Sequence, residues 1–234
     1  MAKILLIETA TGVCSVAVAV DGQVVALIEA NDRRSHAEFI TLFIADVMAR
    51  AGLSFTQLDA VAVSKGPGSY TGLRIGVSTA KGICYAADLP LIGVETLLAM
   101  AVGMRHHQTV DKVSDYLLCP MIDARRMEVY AAVYDDALRL VMPTRAVVVD
   151  SNSFSGYLSH QTVYFGGDGE AKCRQMLSDK PGAVFLDHFV PSASWMAEDA
   201  FRSFLSSKFE NLAYFEPFYL KDFVAGLPKV KGLR

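Results

Sequence analysis

One hydrophobic pattern runs through this chain twice, and that duplication limits the folds open to it. In the first half, the apolar run Ile4 to Ile7 reads as a short buried strand. Val16, Val18 and Val20 recur at the two-residue period of a second strand. Asp21-Gly22 signals a hairpin, and Val24 to Glu29 returns as a third strand. Helical periodicity follows from Ser35 to Ala51, with Ser35 and Glu38 spaced as a capping box and Gly52 suited to the helix end. Ala60 to Ser64 is a fourth strand, Thr71 to Ala87 a second helix stopping before Pro90, Leu91 to Val94 a fifth strand, and Thr96 to about Met104 a short helix. The order is βββαβαβα.

The second half repeats that order more faintly. Leu117 to Ile122 and Met127 to Tyr134 read as strands, Asp135-Asp136 as the turn after them, and Leu138 to Val149 as a third strand interrupted near Pro143. Ser151 is placed to cap a helix reaching about His160. Val163 to Phe165, a glycine-rich loop, a helix to about Leu177, the strand Val184 to Leu186 and a helix begun by Ser192 or Ser194 complete the set. At an offset of 115 residues, Ile7-Glu8 falls on Ile122-Asp123 and Asp21 on Asp136. The expected division is 1–104 for the first lobe and 105–234 for a smaller second lobe, whose last helix packs back on the first. A duplicated α/β unit of this order resembles the actin/sugar-kinase-like (ASKHA) fold, in which two lobes enclose a nucleotide cleft. That resemblance speaks to the fold and not to the activity.

Composition excludes several classes. A chain of 234 residues buries roughly 70% of its unfolded surface on folding and needs no disulfides. Apolar residues at 52% against 20% charged argue against disorder. The formal charge of -3 lacks the basic surplus of a freestanding nucleic-acid binder. The run from Ile4 ends at Glu8, too short for a signal-peptide core, and no uncharged apolar segment is long enough to span a membrane. Cys14, Cys84, Cys119 and Cys173 are scattered, without Cys-x-x-Cys spacing, and point to a reducing cytoplasm.

The segment richest in chemistry runs from Lys65 through Gly66, Gly68, Ser69 and Gly72 to Gly76. Its glycines permit positive φ and let backbone approach a ligand closely, and the helix N-terminus behind it offers N–H groups to an anion. It lacks the Lys-Ser/Thr of a P-loop and the spacing of a dinucleotide fingerprint. Phosphate binding and a tight strand-to-helix turn both fit it. Glu8 and Thr9, at the end of the first strand, carry a carboxylate and a hydroxyl suited to hydrated Mg²⁺ or phosphate. Glu8, Thr9, Gly66, Gly68 and Ser69 are therefore the candidate nucleotide loop. The equivalent place in the second lobe reads Asp123-Ala124-Arg125-Arg126, with Arg125 where a second phosphate loop would carry glycine, which argues against autonomous ATP hydrolysis. No His-x-x-x-His pair and no Gly-x-Ser-x-Gly elbow is present, so neither a metal site nor a nucleophilic serine is expected.

The first two long helices point to association. The helix from Ser35 is apolar nearly all round, and one stripe alone covers the sheet. The second carries Gly72, Gly76 and Ala80 at four-residue spacing, which would let another helix approach, with Arg74, Lys81 and Tyr85 as polar anchors. The expected interface is His36, Phe39, Ile40, Phe43, Val47, Gly72, Arg74, Gly76, Ala80 and Lys81.

The segments Ile7 to Ala10, Ser35 to Glu38, Lys65 to Gly76, Ala80 to Gly82 and Gly93 to Thr96 resemble the bacterial TsaB (YeaZ) family, over about the first hundred residues. The resemblance implies a noncatalytic partner of the TsaD transferase in making threonylcarbamoyladenosine in tRNAs that read codons starting with A. It implies TsaE as the accessory ATPase, a homodimer when the chain is alone, and tRNA contact mainly through TsaD. No cofactor is required of this chain itself, and ATP or ADP is left a place at the interface with the partner. TsaD-like chains carry two metal-binding histidines after their glycine loop, and these fall here on Thr96 and Met100, poor ligands for a hard metal. The same replacement argues against a glycoprotease. Two readings compete with this one: an ATP-dependent small-molecule kinase or phosphatase of the same fold, and a homodimeric binding module without TsaD.

Overall fold

The computed structural model describes residues 1–31, 36–110 and 115–221. The expected cap at Ser35 and the basic tail from Lys229 to Arg234 lie outside them.

The described residues contain two five-stranded sheets. The first contains β1 (Lys3–Glu8), β2 (Cys14–Val20), β3 (Gln23–Ala30), β4 (Ala60–Gly66) and β5 (Leu91–Glu95), in the order β3-β2-β1-β4-β5. β1, β2 and β3 pair antiparallel, whereas β4 and β5 continue the sheet in parallel. Asp21 and Gly22 turn the β2–β3 hairpin with φ of 49° and 79°, the left-handed pair that matches strand twist. The second sheet contains β6 (Tyr116–Asp123), β7 (Glu128–Asp135), β8 (Leu140–Val148), β9 (Thr162–Gly166) and β10 (Ala183–Phe185), in the order β10-β9-β6-β7-β8. Read from the other edge, that is the strand order of the first sheet, so the chain has the duplicated α/β architecture that its periodicity predicts.

Both faces of each sheet are covered, which is why the central strands read as apolar runs. Leu5, Ile7, Val16, Val61 and Val63 face α1 (His36–Ala51) and α2 (Tyr70–Ala87). Between these helices and their sheet lies a core containing Ile40, Ile44, Val47, Val77 and Ala80. The alternate residues Ile4, Leu6, Ala60, Ala62 and Val94 point the other way. Their cover comes from the far end of the chain: a 3₁₀ turn over Ala193–Met196, capped by Ser192, and α6 (Ala197–Leu205). The second sheet is treated in the same manner. One face packs on α4 (Ser155–Leu158) and α5 (Glu170–Leu177). The other packs on Leu97, Met100, Ala101 and Met104 of α3 (Thr96–Arg105), a helix of the first half. The halves thus exchange a covering helix. Gly103 marks the crossing, because a Cβ there would sit 2.7 Å from the Trp195 indole.

Two expectations need correction. Pro143 interrupts the pairing of the third strand but not the strand itself, which runs on through it. β8 lies at the sheet edge, and pairing with β7 shifts register between Ala131 and Val133, so a residue without an N–H is tolerated there. Ser151 does not start a helix. The Asp150 carboxylate instead accepts the Asn152 N–H (2.9 Å) and the Ser153 hydroxyl (3.0 Å), holding a turn that leaves only the four residues of α4 helical.

Candidate functional site

Glu8 ends β1 with its side chain 1% exposed. Its Oε1 accepts the Ala10 N–H (2.5 Å) and the Ser64 hydroxyl of β4 (3.1 Å). Burial is the largest influence on this carboxyl and pushes it up to about 7, against the lowering effect of those bonds. Burial, reinforced by the field of Glu8, likewise pushes the neighbouring Cys14 thiol up to about 11. The Thr9 hydroxyl donates to the Gly72 carbonyl (2.8 Å). The Ser69 N–H donates to Ala10 O (2.7 Å), and the Ser69 hydroxyl caps α2 by accepting the Gly72 N–H (3.3 Å).

The glycines of this loop are spent on contacts inside the chain. A Cβ at Gly68 would lie 2.4 Å from Ala10 O, one at Gly72 2.2 Å from Thr9 O, and one at Gly76 2.2 Å from Thr9 Oγ1. At Gly66, with φ of +112°, a Cβ would meet Phe218 O at 2.7 Å. The Gly66 N–H donates to Thr96 Oγ1 (3.1 Å), and the Phe218 N–H donates to Lys65 O (2.6 Å). Glu8, Thr9, Gly68 and Ser69 meet at the junction of β1 and α2, and Gly66 lies against Thr96 and Phe218. What they hold is the end of β1 against α2, and the segment 206–221 against the glycine loop. Thr96 and Met100 are both buried, with the Thr96 hydroxyl occupied by Gly66. Among the described residues, no three His, Cys, Asp or Glu side chains are placed to hold a metal ion.

The equivalent end of β6 carries different chemistry. Arg125 and Arg126 turn the β6–β7 hairpin with φ of 65° and 49°. The Arg125 N–H donates to the Asp123 carboxylate (2.6 Å), which also pairs with Lys172. The Asp123 N–H donates to Asp168 (2.9 Å), whose carboxyl is pushed up by burial. Between the lobes lies a cleft of about 600 Å³ lined by Lys65, Glu95, Thr144, Glu210, Tyr214 and Phe218, with Lys65 and Glu95 paired at 3.6 Å.

The expected interface divides. Ile40, Val47 and Ala80 are buried in the chain's own core, and Gly72 and Gly76 face Thr9, so these five do not form an outer surface. Four-residue spacing of small residues allows close approach, and the neighbour here is a strand end of the same chain. His36 is half-buried, its Nε2 2.8 Å from Thr11 O. Phe39 and Phe43 are half-buried and stacked with centroids 5.6 Å apart. Lys81 donates to Ala213 O (3.2 Å) and Phe215 O (3.1 Å), while Arg74 is exposed.

The outer surface of the helix pair is instead carried by Leu42 (60% exposed) and Tyr85 (84% exposed). Gly82 joins them, because a Cβ there would find nothing within 4 Å. Spacing could have found Leu42, since the buried set Ile40, Ile44, Val47 and Met48 leaves it on the opposite side of the turn.

The family model of TsaD, tRNA N6-adenosine threonylcarbamoyltransferase, matches residues 23–221. The tRNA threonylcarbamoyladenosine biosynthesis protein TsaB of Escherichia coli K12 is 35% identical over 230 residues, covering 95% of this chain and 96% of that protein. The Bacillus subtilis protein of the same name is 29% identical, with 76% of each chain covered. Among solved structures, YeaZ from Pseudomonas aeruginosa superposes with a TM-score of 0.80 at 23% identity, covering 94% of this chain and all of that one. The activator of the 2-hydroxyisocaproyl-CoA dehydratase from Clostridium difficile, solved with bound ADPNP, shares the fold at a TM-score of 0.51 and 10% identity, covering 88% of this chain and 97% of that one.

Proposed function

This chain belongs to the TsaB (YeaZ) family, and from that premise we propose that it serves tRNA threonylcarbamoyladenosine biosynthesis as a noncatalytic subunit that binds and activates TsaD. The observation that carries the proposal is the helix pair. α1 and α2 lie side by side on one face of the first sheet, and they leave Leu42, Gly82 and Tyr85 outward. Glycine inside an exposed helix costs about 1 kcal/mol against alanine, and no described residue occupies the space it frees. A partner helix packed at Gly82 accounts for that cost. Phe39 and Phe43 at the edge of the pair, together with Leu42, supply apolar area for the contact.

On this reading the subunit acts by population shift, binding the active arrangement of TsaD more tightly than the inactive one. In the absence of TsaD, the same surface pairs two copies of the chain. A noncatalytic role is supported by Glu8, which is buried and bonded to Ala10 and Ser64. ATP or ADP then belongs to the contact with the partner, TsaE supplies the ATPase, and tRNA is held mainly by TsaD, all in the cytoplasm.

The test is threonylcarbamoyl transfer to tRNA by TsaD, with threonylcarbamoyl-adenylate, TsaE and ATP, in the presence and absence of this chain. Transfer that needs both proteins, and none from this chain alone, is the expected result. Equal transfer without it rejects the subunit role.

A further inference from the structure

We propose that Arg74 is a carboxylate receptor aimed in advance from the outer side of α2, and that the partner meets it with an aspartate or glutamate side chain. The proposal rests on the reading of α1 and α2 as the docking face and adds the chemistry of one contact.

The geometry begins with a long-range anchor. The Arg74 Nε–H donates to the Tyr219 hydroxyl at 3.2 Å, across 145 residues of sequence. The guanidinium carbon stands 4.2 Å above the centre of the Tyr70 ring, and the Tyr70 and Tyr219 rings lie 5.0 Å apart. One face and one edge of the guanidinium are therefore taken, yet the side chain stays exposed. Among the described residues, no acceptor lies on either terminal nitrogen. Those two N–H groups form the fork that grips a carboxylate bidentately. A free arginine surrenders rotamer freedom to make that grip, whereas here two tyrosines hold it beforehand.

The surroundings select the ligand. Glu216 is near enough for its charge to act on Arg74. Lys81 is already committed to the carbonyls of Ala213 and Phe215. A phosphodiester backbone calls for several free cations together, and a single fork beside an acid does not offer them. One carboxylate suits it. Arg74, Ser78 and Gly82 recur at four-residue intervals along the outer side of α2. The fork then sits about 12 Å along the helix from the place where Gly82 admits a second backbone. Tyrosine and arginine are also among the residues enriched at the positions that dominate binding energy at protein interfaces.

Calorimetric titration of the full-length chain against TsaD tests this, with the melting temperature of each variant as a check on folding. Arg74→Lys keeps the charge and loses the fork, and is expected to weaken binding about tenfold or more. Tyr219→Phe removes the bond to Nε and is expected to weaken binding by a smaller factor. Arg74→Glu abolishes binding, and changing one TsaD carboxylate to lysine restores it. A residue that merely anchors the segment 206–221 would not show that restoration. If Leu42→Asp abolishes binding while Arg74→Lys binds as wild type, the carboxylate receptor is wrong and the docking face stands. If both bind as wild type, the docking face itself is wrong. Loss of tRNA retention by Arg74→Lys at unchanged TsaD affinity would overturn the carboxylate in favour of phosphate.

Discussion

Glu8 and the glycines of α2 show how single positions are constrained. The Glu8 carboxyl stands at about 7 in the folded chain against 4.5 in the open one, so folding favours its protonated form. The stability this confers is complete below about pH 4.5 and is lost as the pH rises through 7. The difference between those limits amounts to about 3 kcal/mol. Glu8→Gln keeps an acceptor oxygen for the Ala10 N–H and the Ser64 hydroxyl and removes the ionisation. Its melting temperature is expected to stay level between pH 5 and 8.5 while the wild type falls, leaving the variant roughly 5–10 °C higher at the alkaline end. A wild-type profile as level as the variant's would show that Glu8 does not titrate in this range.

The glycines of α2 separate into two kinds. Gly72→Ala drives a methyl to 2.2 Å from Thr9 O and is expected to cost about 3 kcal/mol or more. Gly82→Ala meets open space and is expected to stabilise the free chain by about 0.5–1 kcal/mol. Chemical denaturation of the two variants side by side checks both signs.

Among elements, the two outer helices set what can meet a partner. Leu42→Asp changes an exposed position of α1 and is expected to abolish binding to TsaD while moving stability by less than about 0.5 kcal/mol. Val47→Asp, on the core side of the same helix, buries an unpaired charge and is expected to unfold the chain. Size-exclusion chromatography and circular dichroism separate the two outcomes.

The strands and long helices were legible in the sequence because sheets covered on both sides produce apolar runs, and turns such as Asp21-Gly22 carry their own chemistry. The inward direction of Ile40, Val47 and Ala80 was harder to read. Phe39, Leu42 and Phe43 widen the apolar side of α1 beyond the buried set, which obscures the stripe that meets the sheet. The row Gly72, Gly76, Ala80 announced a close neighbour without naming it, and the neighbour is Thr9 for the two glycines. The bond from Arg74 to Tyr219 spans 145 residues, and no local period connects such positions. Pro143 and Ser151 misled for a related reason. An edge strand tolerates a missing N–H, and an Asp150 turn outcompetes a serine cap.

Across the whole molecule, the exchange of covering helices binds the halves into one cooperative unit. Residues 1–104 alone would leave Ile4, Leu6, Ala62 and Val94 without the cover of Ala193, Met196, Ala197 and Ala200. That fragment is expected to be molten or aggregated, and the full chain to unfold in a single calorimetric transition. Two separated transitions, or a fragment with native-like near-ultraviolet circular dichroism, would contradict the shared cover. The crossing of α3 by Trp195 at Gly103 also bears on which mutational routes are open to the chain. A substitution in the β6–β7 turn at Arg125 and Arg126 touches one hairpin only. A deletion that discards the second lobe strips the first sheet in the same step. The second half is in this sense a roof over the first sheet, and truncation there opens a core that lies in the other half.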